Sequence, residues 1–189
     1  MSSTSYRILA PLGRRSSRAV YRAEETGATE SPITVELELI PCTTSLSPML
    51  VRQAHEAANQ RLAAATANLQ ALRRRGVVAC RRIARIDQDW ALVSPPGPGV
   101  PTTALIEGGR IPPRPALGIV AQVALILHQA LHSQVRGKLI RAVHLGLTPS
   151  RILLNGDGGV IVQGWGIPAT VAELLAWGAT PEPELPGRF

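Results

Sequence analysis

An α+β fold in two lobes is predicted by three features of the sequence. Short runs of β-branched and aromatic residues lie on either side of one long amphipathic segment. A Pro- and Gly-rich stretch, Ser94-Pro-Pro-Gly-Pro-Gly-Val-Pro101, then breaks the pattern, and beyond it come an apolar helix-length segment and a turn-rich hairpin. With 189 residues, 45% of them hydrophobic, the chain is long enough to bury a sizeable core as one domain or two small lobes. The expected boundaries are a first lobe over 1–93, a hinge over 94–101, a second lobe over 102–168, and a short helix with a Pro- and Glu-rich tail over 169–189.

Each element has a local reason. Tyr6–Ala10, Ala19–Ala23 and Ile33–Ile40 read as strands separated by Gly, Ser and Thr. In the third, Val35, Leu37 and Leu39 alternate with Glu36 and Glu38, which predicts one buried and one wet face. A helix begins at Ser47 as N-cap with Pro48 in its first turn. Leu50, Ala54, Ala58, Leu62, Ala65, Leu69 and Leu72 give it one apolar stripe, and Gly76 ends it after Arg73, Arg74 and Arg75, whose charge suits the carbonyl end of the dipole. Val77–Ile86 and Trp90–Val93 complete five strands. The segment 116–133 predicts a helix buried on most sides, and Asn155-Gly-Asp-Gly-Gly159 turns a hairpin between Ile152-Leu-Leu and Val160-Ile-Val.

Composition narrows the chemistry. Of 20 basic residues, 19 are Arg and one is Lys138; the acids are ten Glu and three Asp, at 87, 89 and 157. A net charge of +7 attracts nucleic acid, acidic membranes or acidic proteins alike, but here it is scattered, which reads as compositional background. Arg73–Arg75 with Arg81, Arg82 and Arg85 form the best basic patch. No aromatic interleaving or nucleic-acid motif accompanies it, so nucleic acid is disfavoured as a partner. Cys42 and Cys80, with no signal peptide, suggest a reducing, cytoplasmic setting. The longest apolar run, Ala116–Leu127, falls short of the ~18–20 residues of a membrane span.

Four fragments, in order, resemble the protein kinase superfamily of Ser/Thr kinase type. Tyr6–Gly13 with Ala19-Val-Tyr21 resembles the opening of the glycine-rich loop, and Ala91-Leu-Val plus the Pro/Gly stretch resembles the last small-lobe strand and hinge. Val143-His144-Leu-Gly-Leu-Thr-Pro149-Ser-Arg-Ile-Leu-Leu154 resembles the catalytic-loop frame, and Val160-Ile-Val-Gln-Gly-Trp-Gly166 the strand and tripeptide that carry Asp-Phe-Gly. The resemblance spans roughly Tyr6–Pro168. It implies a small lobe of five antiparallel strands and one long helix, followed by a helical large lobe with a β-hairpin. That large lobe is expected to be truncated, since only 23 residues follow Gly166.

The reactive residues do not carry over. Only Gly13 remains of the glycine-rich loop, with Arg15 and Arg18 where the family keeps no such side chains; they read as solvated turn residues or weak anion ligands. The phosphate-gripping lysine aligns with Glu36. If its helix partner is Glu56, two carboxylates meet, with Arg52 or His55 able to neutralise Glu36. Gly146 replaces the catalytic Asp, Thr148 the usual Lys, Arg151 the metal-binding Asn, and Gly164 the metal-binding Asp, before Trp165 and Gly166. Packing residues persist, with His144 expected to hold the loop backbone. Hinge prolines lack N–H donors, leaving Gly97 one weak possibility for a nucleotide.

The resulting expectation is a degenerate pseudokinase with no catalytic residues, no ATP, Mg or other cofactor, and no metal site. It would act as scaffold, regulator or assembly subunit. Another protein, or its own copies, would cover the second-lobe helix. Trp165 and Trp177 are candidate interface anchors. The rival expectations are an atypical nucleotide-binding phosphotransferase using Arg15, Arg18 or Arg151, and a nucleic-acid-binding basic module.

Overall fold

The computed structural model describes residues 4–15, 18–27, 31–42, 47–67, 69, 72, 76–109, 111–135, 137–139 and 141–177. Arg73, Arg74 and Arg75 lie outside the described residues, so the patch proposed on them has no structural description. The chain divides into two compact units that are not contiguous stretches: 1–60 with 81–96 and 170–189, and 61–80 with 97–169. The sequence suggests a single cut at 94–101. One observed boundary, Pro96/Gly97, falls within that stretch; the others fall inside the long helix, at Cys80/Arg81 and at Ala169/Thr170.

The first unit is built on a five-stranded antiparallel sheet in the order β1-β2-β3-β6-β5. Its strands are β1 Ser5–Arg15, β2 Arg18–Thr26, β3 Ile33–Ile40, β5 Arg82–Ile86 and β6 Asp89–Ser94. Ala23, Val35, Leu37, Ala91 and Val93 form its core, as the alternation in β3 requires. The other face of β3 departs from expectation, because Glu36 and Glu38 are buried too, at 5% and 3% exposure. Helix α1, Pro48–Thr66, starts where the N-cap signal predicts, with the Leu50 amide donating to Ser47 Oγ at 3.4 Å. In its N-terminal part His55 and Asn59 reach β5: His55 Nε2 bonds the Ile83 carbonyl at 2.9 Å and Asn59 Oδ1 accepts from the Ile83 amide at 3.3 Å.

The second unit holds a four-stranded sheet, β4-β11-β10-β7. Here β4 is Val77–Ala79, β7 Val100–Pro101, β10 Ile152–Leu154 and β11 Val160–Trp165. The run 77–86, expected as one strand, is therefore two. β4 pairs parallel with β11, whereas β5 pairs antiparallel with β6. Proline-bearing β7 occupies an edge, where its missing N–H disrupts no ladder. The unit also contains α2, Thr102–Glu107, and α3, Pro113–His132, then the small hairpin β8 Gln134–Val135 and β9 Lys138–Leu139. Helix α4, Ile167–Ala176, crosses the division at Thr170. The core joins Leu69, Leu72, Val77, Val123, Ile126, Ala130, Val160, Val162 and Trp165.

Two expectations about α3 are corrected. The helix is buried on one stripe only, through Val123, Ile126 and Ala130, while Leu117 and Val120 are 70% and 63% exposed. At 20 residues it is also long and apolar enough by length and composition to cross a membrane, which the shorter uninterrupted run had not suggested.

Candidate functional site

The residues that align with kinase motifs fall in both units, and each group has its own geometry. In the first unit, β1 and β2 form an antiparallel pair in which Arg15 lies opposite Arg18. Gly13 adopts φ +98, a conformation that favours glycine and lets β1 bend at an irregularity in its pairing. Arg15 is not a solvated turn residue: it is 8% exposed and its Nη1 donates to Glu36 Oε2 at 2.7 Å. Arg18 Nε donates to Glu38 Oε1 at 2.6 Å. The two acids of β3 are thus answered by the two arginines of the adjoining strand pair.

This arrangement replaces the expected confrontation of Glu36 with Glu56. Glu56 is exposed on α1, and Glu36 is neutralised by Arg15 rather than by Arg52 or His55. His55 is otherwise engaged, bonded to Ile83 and stacked on Trp90. A kinase pairs a lysine on its third strand with a helix glutamate; here the carboxylate is on the strand and the cation on its neighbours. The signal was present in the sequence as two Arg flanking a Ser pair, beside two Glu at strand spacing. Resemblance to the glycine-rich loop masked it.

In the second unit, the loop after α3 is held by His144, which is 3% exposed. The Gly146 amide donates to His144 Nδ1 at 3.3 Å, so Nδ1 is the acceptor and Nε2–H donates to the Gln163 carbonyl at 2.9 Å. Trp165 meets the imidazole edge-on at 4.9 Å between centroids. Burial holds the His144 pKa below its ordinary 6.5, the Gln163 carbonyl opposes that shift, and the Arg151 charge adds to it. The neutral tautomer drawn by the hydrogen bonds is the form this environment favours. Thr102 Oγ1 donates to the Pro149 carbonyl at 2.7 Å, and Thr148 shares a hydroxyl contact with Ser150 at 2.9 Å.

Neighbours crowd the two glycines that align with the kinase aspartates. A Cβ at Gly146 would lie 2.6 Å from Pro168 Cγ. Gly164 has φ +93, and a Cβ there would lie 2.6 Å from Arg151 Nη1. Arg151, 3% exposed at the end of a 3-10 turn over Pro149–Arg151, therefore lays its guanidinium against the glycine at the metal-binding position. A fixed positive charge stands where a kinase gathers ligands for a cation. Gly166, φ +85, is hemmed by Thr66 Cγ2 at 2.6 Å and Leu62 Cδ1 at 2.8 Å, and Gly97 by Leu153 and Gln163.

The remaining candidates separate. Trp165 is 1% exposed and bonds the Val162 carbonyl at 3.0 Å, so it is a core residue and not an interface anchor. Trp177, just past α4, is half-buried, with Nε1 donating to Glu173 of that helix at 3.2 Å. Cys42 and Cys80 are buried and not joined in a disulfide. The His128 and His132 rings meet at a tilt with 4.5 Å between centroids, but among the described residues no third ligand joins them.

No family model matches the chain, and no curated protein sequence matches it. Solved structures do match. The crystal structure of the Mycobacterium tuberculosis PknI kinase domain, in a cysteine-to-alanine mutant form, superposes with a TM-score of 0.52 at 20% sequence identity, over 86% of this chain and 60% of that one. The chain thus spans 60% of that kinase domain's length and has a protein-kinase-like fold, as the order of its motifs implied.

Proposed function

We propose that this kinase-like fold is a catalytically inactive module that acts by binding another protein, as scaffold, regulator or assembly subunit. The observation that carries the reading is the Arg151 guanidinium packed against Gly164, which puts a cation and a bare backbone at the two positions from which a kinase anchors its metals. Gly146, closed by Pro168, offers no base for a hydroxyl nucleophile. The rival reading, an anion site for nucleotide phosphates at Arg15 and Arg18, is disfavoured because both are paired with Glu36 and Glu38. Incubation with labelled ATP and Mg or Mn, alongside generic substrates, is expected to give background transfer only. Transfer that is lost on unfolding the chain overturns the proposal. Native mass spectrometry of the particle isolated from its own cells is expected to show a complex larger than 20.1 kDa.

A further inference from the structure

Helix α3 presents an outer face that the rest of the second unit leaves open. Its inner stripe packs on the core through Val123, Ile126 and Ala130, yet only 17% of its apolar stretch is buried. Leu117, Val120, Ala121, Ala124 and Leu125 are exposed at helical spacing along the other side, and Leu131 continues the row toward the C-terminal end. Gln122, the polar residue in the middle of that row, is tied to the hairpin: its Oε1 accepts from the Val160 amide at 3.1 Å and its Nε2 donates to the Gly158 carbonyl at 3.4 Å. The face does not stop with the helix. Val143, Leu145 and Leu147 are exposed in the following loop and line a cavity of about 320 Å³ with Leu127 and Leu131. Leu145 is 72% exposed at φ +59, a conformation that a leucine seldom adopts, so a strained backbone holds an apolar side chain in water.

Charge indicates what covers this face. Between Glu107 and Asp157 the sequence carries six cations, Arg110, Arg114, Arg136, Lys138, Arg141 and Arg151, and no acid. The first five bracket α3, and none falls between Pro115 and Val135. Arg114 and Arg141, toward opposite ends of the helix, are exposed. A cation in the first turn stands at the unfavourable end of the helix dipole, so helix electrostatics do not account for Arg114. Asp157 lies beside Gln122 and Leu125, but its Oδ1 accepts from the Gly159 amide at 2.9 Å. A second copy of the chain laid on this face would bring cationic ends together in either direction. An anionic occupant fits instead, and it has to reach both ends of a 20-residue helix, about 30 Å apart. A bilayer containing acidic lipid presents negative charge along that whole length with an apolar interior beneath it, whereas a partner's helix would need its acids at two matched positions.

We infer that the second unit docks on an anionic membrane surface through α3 and the loop over 143–147. Leu117, Val120, Leu131 and Leu145 enter the boundary between headgroups and acyl chains, and Arg114 and Arg141 meet the lipid phosphates. The helix lies on the bilayer and does not cross it, because its inner stripe is part of the core of the unit. The inference goes beyond the protein-binding reading above and does not depend on it.

The full chain is mixed with vesicles of phosphatidylcholine, alone or with about 30 mol% phosphatidylglycerol, and the fraction that sediments with them is measured. Binding to the anionic vesicles is expected to be about tenfold tighter than to the neutral ones and to weaken as salt rises. Leu117→Gln with Val120→Gln, and separately Arg114→Gln with Arg141→Gln, are each expected to weaken it about tenfold. Arg22→Gln with Arg52→Gln, an equal loss of charge on exposed residues of the first unit, is expected to change it by about twofold at most. A nitrobenzoxadiazole probe on Leu117→Cys is expected to shift to the blue on anionic vesicles, and one on Arg52→Cys to stay unshifted, a readout that needs neither Gln variant to fold. Binding to neither vesicle, equal binding to both, equal loss in Arg22→Gln with Arg52→Gln, or an unshifted probe at 117 overturns the inference. A chain that ignores vesicles and instead forms a dimer, or a complex with another protein, that Leu117→Gln with Val120→Gln breaks up overturns it too; the complex leaves the protein-binding reading standing. Vesicle binding by a chain isolated from its cells at 20.1 kDa supports the membrane site and sinks that reading.

Discussion

Removing the cation from a buried ion pair costs far more than removing a surface charge, because the carboxylate left behind keeps its desolvation penalty. Arg15→Ala is therefore expected to lower unfolding free energy by about 3 kcal/mol in urea titration, given that both side chains are nearly enclosed. Replacing Arg15 and Glu36 together by Met is expected to recover most of it, since that change leaves no buried charge behind. At Gly164 the penalty is steric and conformational. Gly164→Ala is expected to cost about 2 kcal/mol, and Arg151→Ala in the same chain to relieve only the steric part, as φ remains positive. His144 sets a pH dependence. Its folded-state pKa is lowered, so above 6.5 the ring is neutral whether the chain is folded or not. As pH falls from 6.5 toward the lowered value, the unfolded chain binds a proton that the folded chain refuses, and stability drops. His144→Gln is expected to flatten that drop, measured as the denaturant midpoint on either side of pH 6.5.

Among the elements, α1 and α3 show what periodicity reads and what it misses. The Ser47-Pro48 start was legible because an N-cap is a local, chemical signal, and Ser47→Ala is expected to cost about 1 kcal/mol. The α3 sequence is apolar on nearly every side, and periodicity in such a segment does not say which side is covered. The structure packs Val123, Ile126 and Ala130 and leaves Leu117, Val120 and Leu125 exposed. Leu117→Gln with Val120→Gln is thus expected to change unfolding free energy by no more than about 0.5 kcal/mol while reducing binding of a hydrophobic dye. A large loss of stability would show that the face is covered in the folded chain. The misread strand at 77–86 has a similar cause. A run of strand-forming residues says nothing about the sheet each joins, and here the ladder changes partner at Cys80, whose amide bonds the Trp165 carbonyl while the next, Arg81, bonds Val93.

At the scale of the whole molecule, the order of motifs carried the fold. Five strands, a capped helix, a Pro/Gly break and a hairpin recur in sequence in the kinase-like architecture, and their order survives when individual residues do not. The site was legible only as a list of departures from the kinase motifs. What stands at each departure, Arg15 paired with Glu36, Pro168 beside Gly146 and Arg151 beside Gly164, depends on contacts across strands and loops that spacing along the chain does not encode. A nucleotide held by the folded chain at 100 times its dissociation constant would add about 2.7 kcal/mol of stability. With Mg and ATP, ADP or GTP in a thermal unfolding series, no upward shift is expected.

The contact between Arg151 and Gly164 also bears on how such a chain can change by mutation. A new Asp at 164 would enter a left-handed backbone with its Cβ against a guanidinium, and a new Asn at 151 would face a glycine with no acid beside it. Neither single step yields a metal-binding pair, so selection for catalysis has nothing to favour until both have occurred. The packing acts as a ratchet: each position is closed by a neighbour, and a metal-binding pair lies two unfavourable changes away.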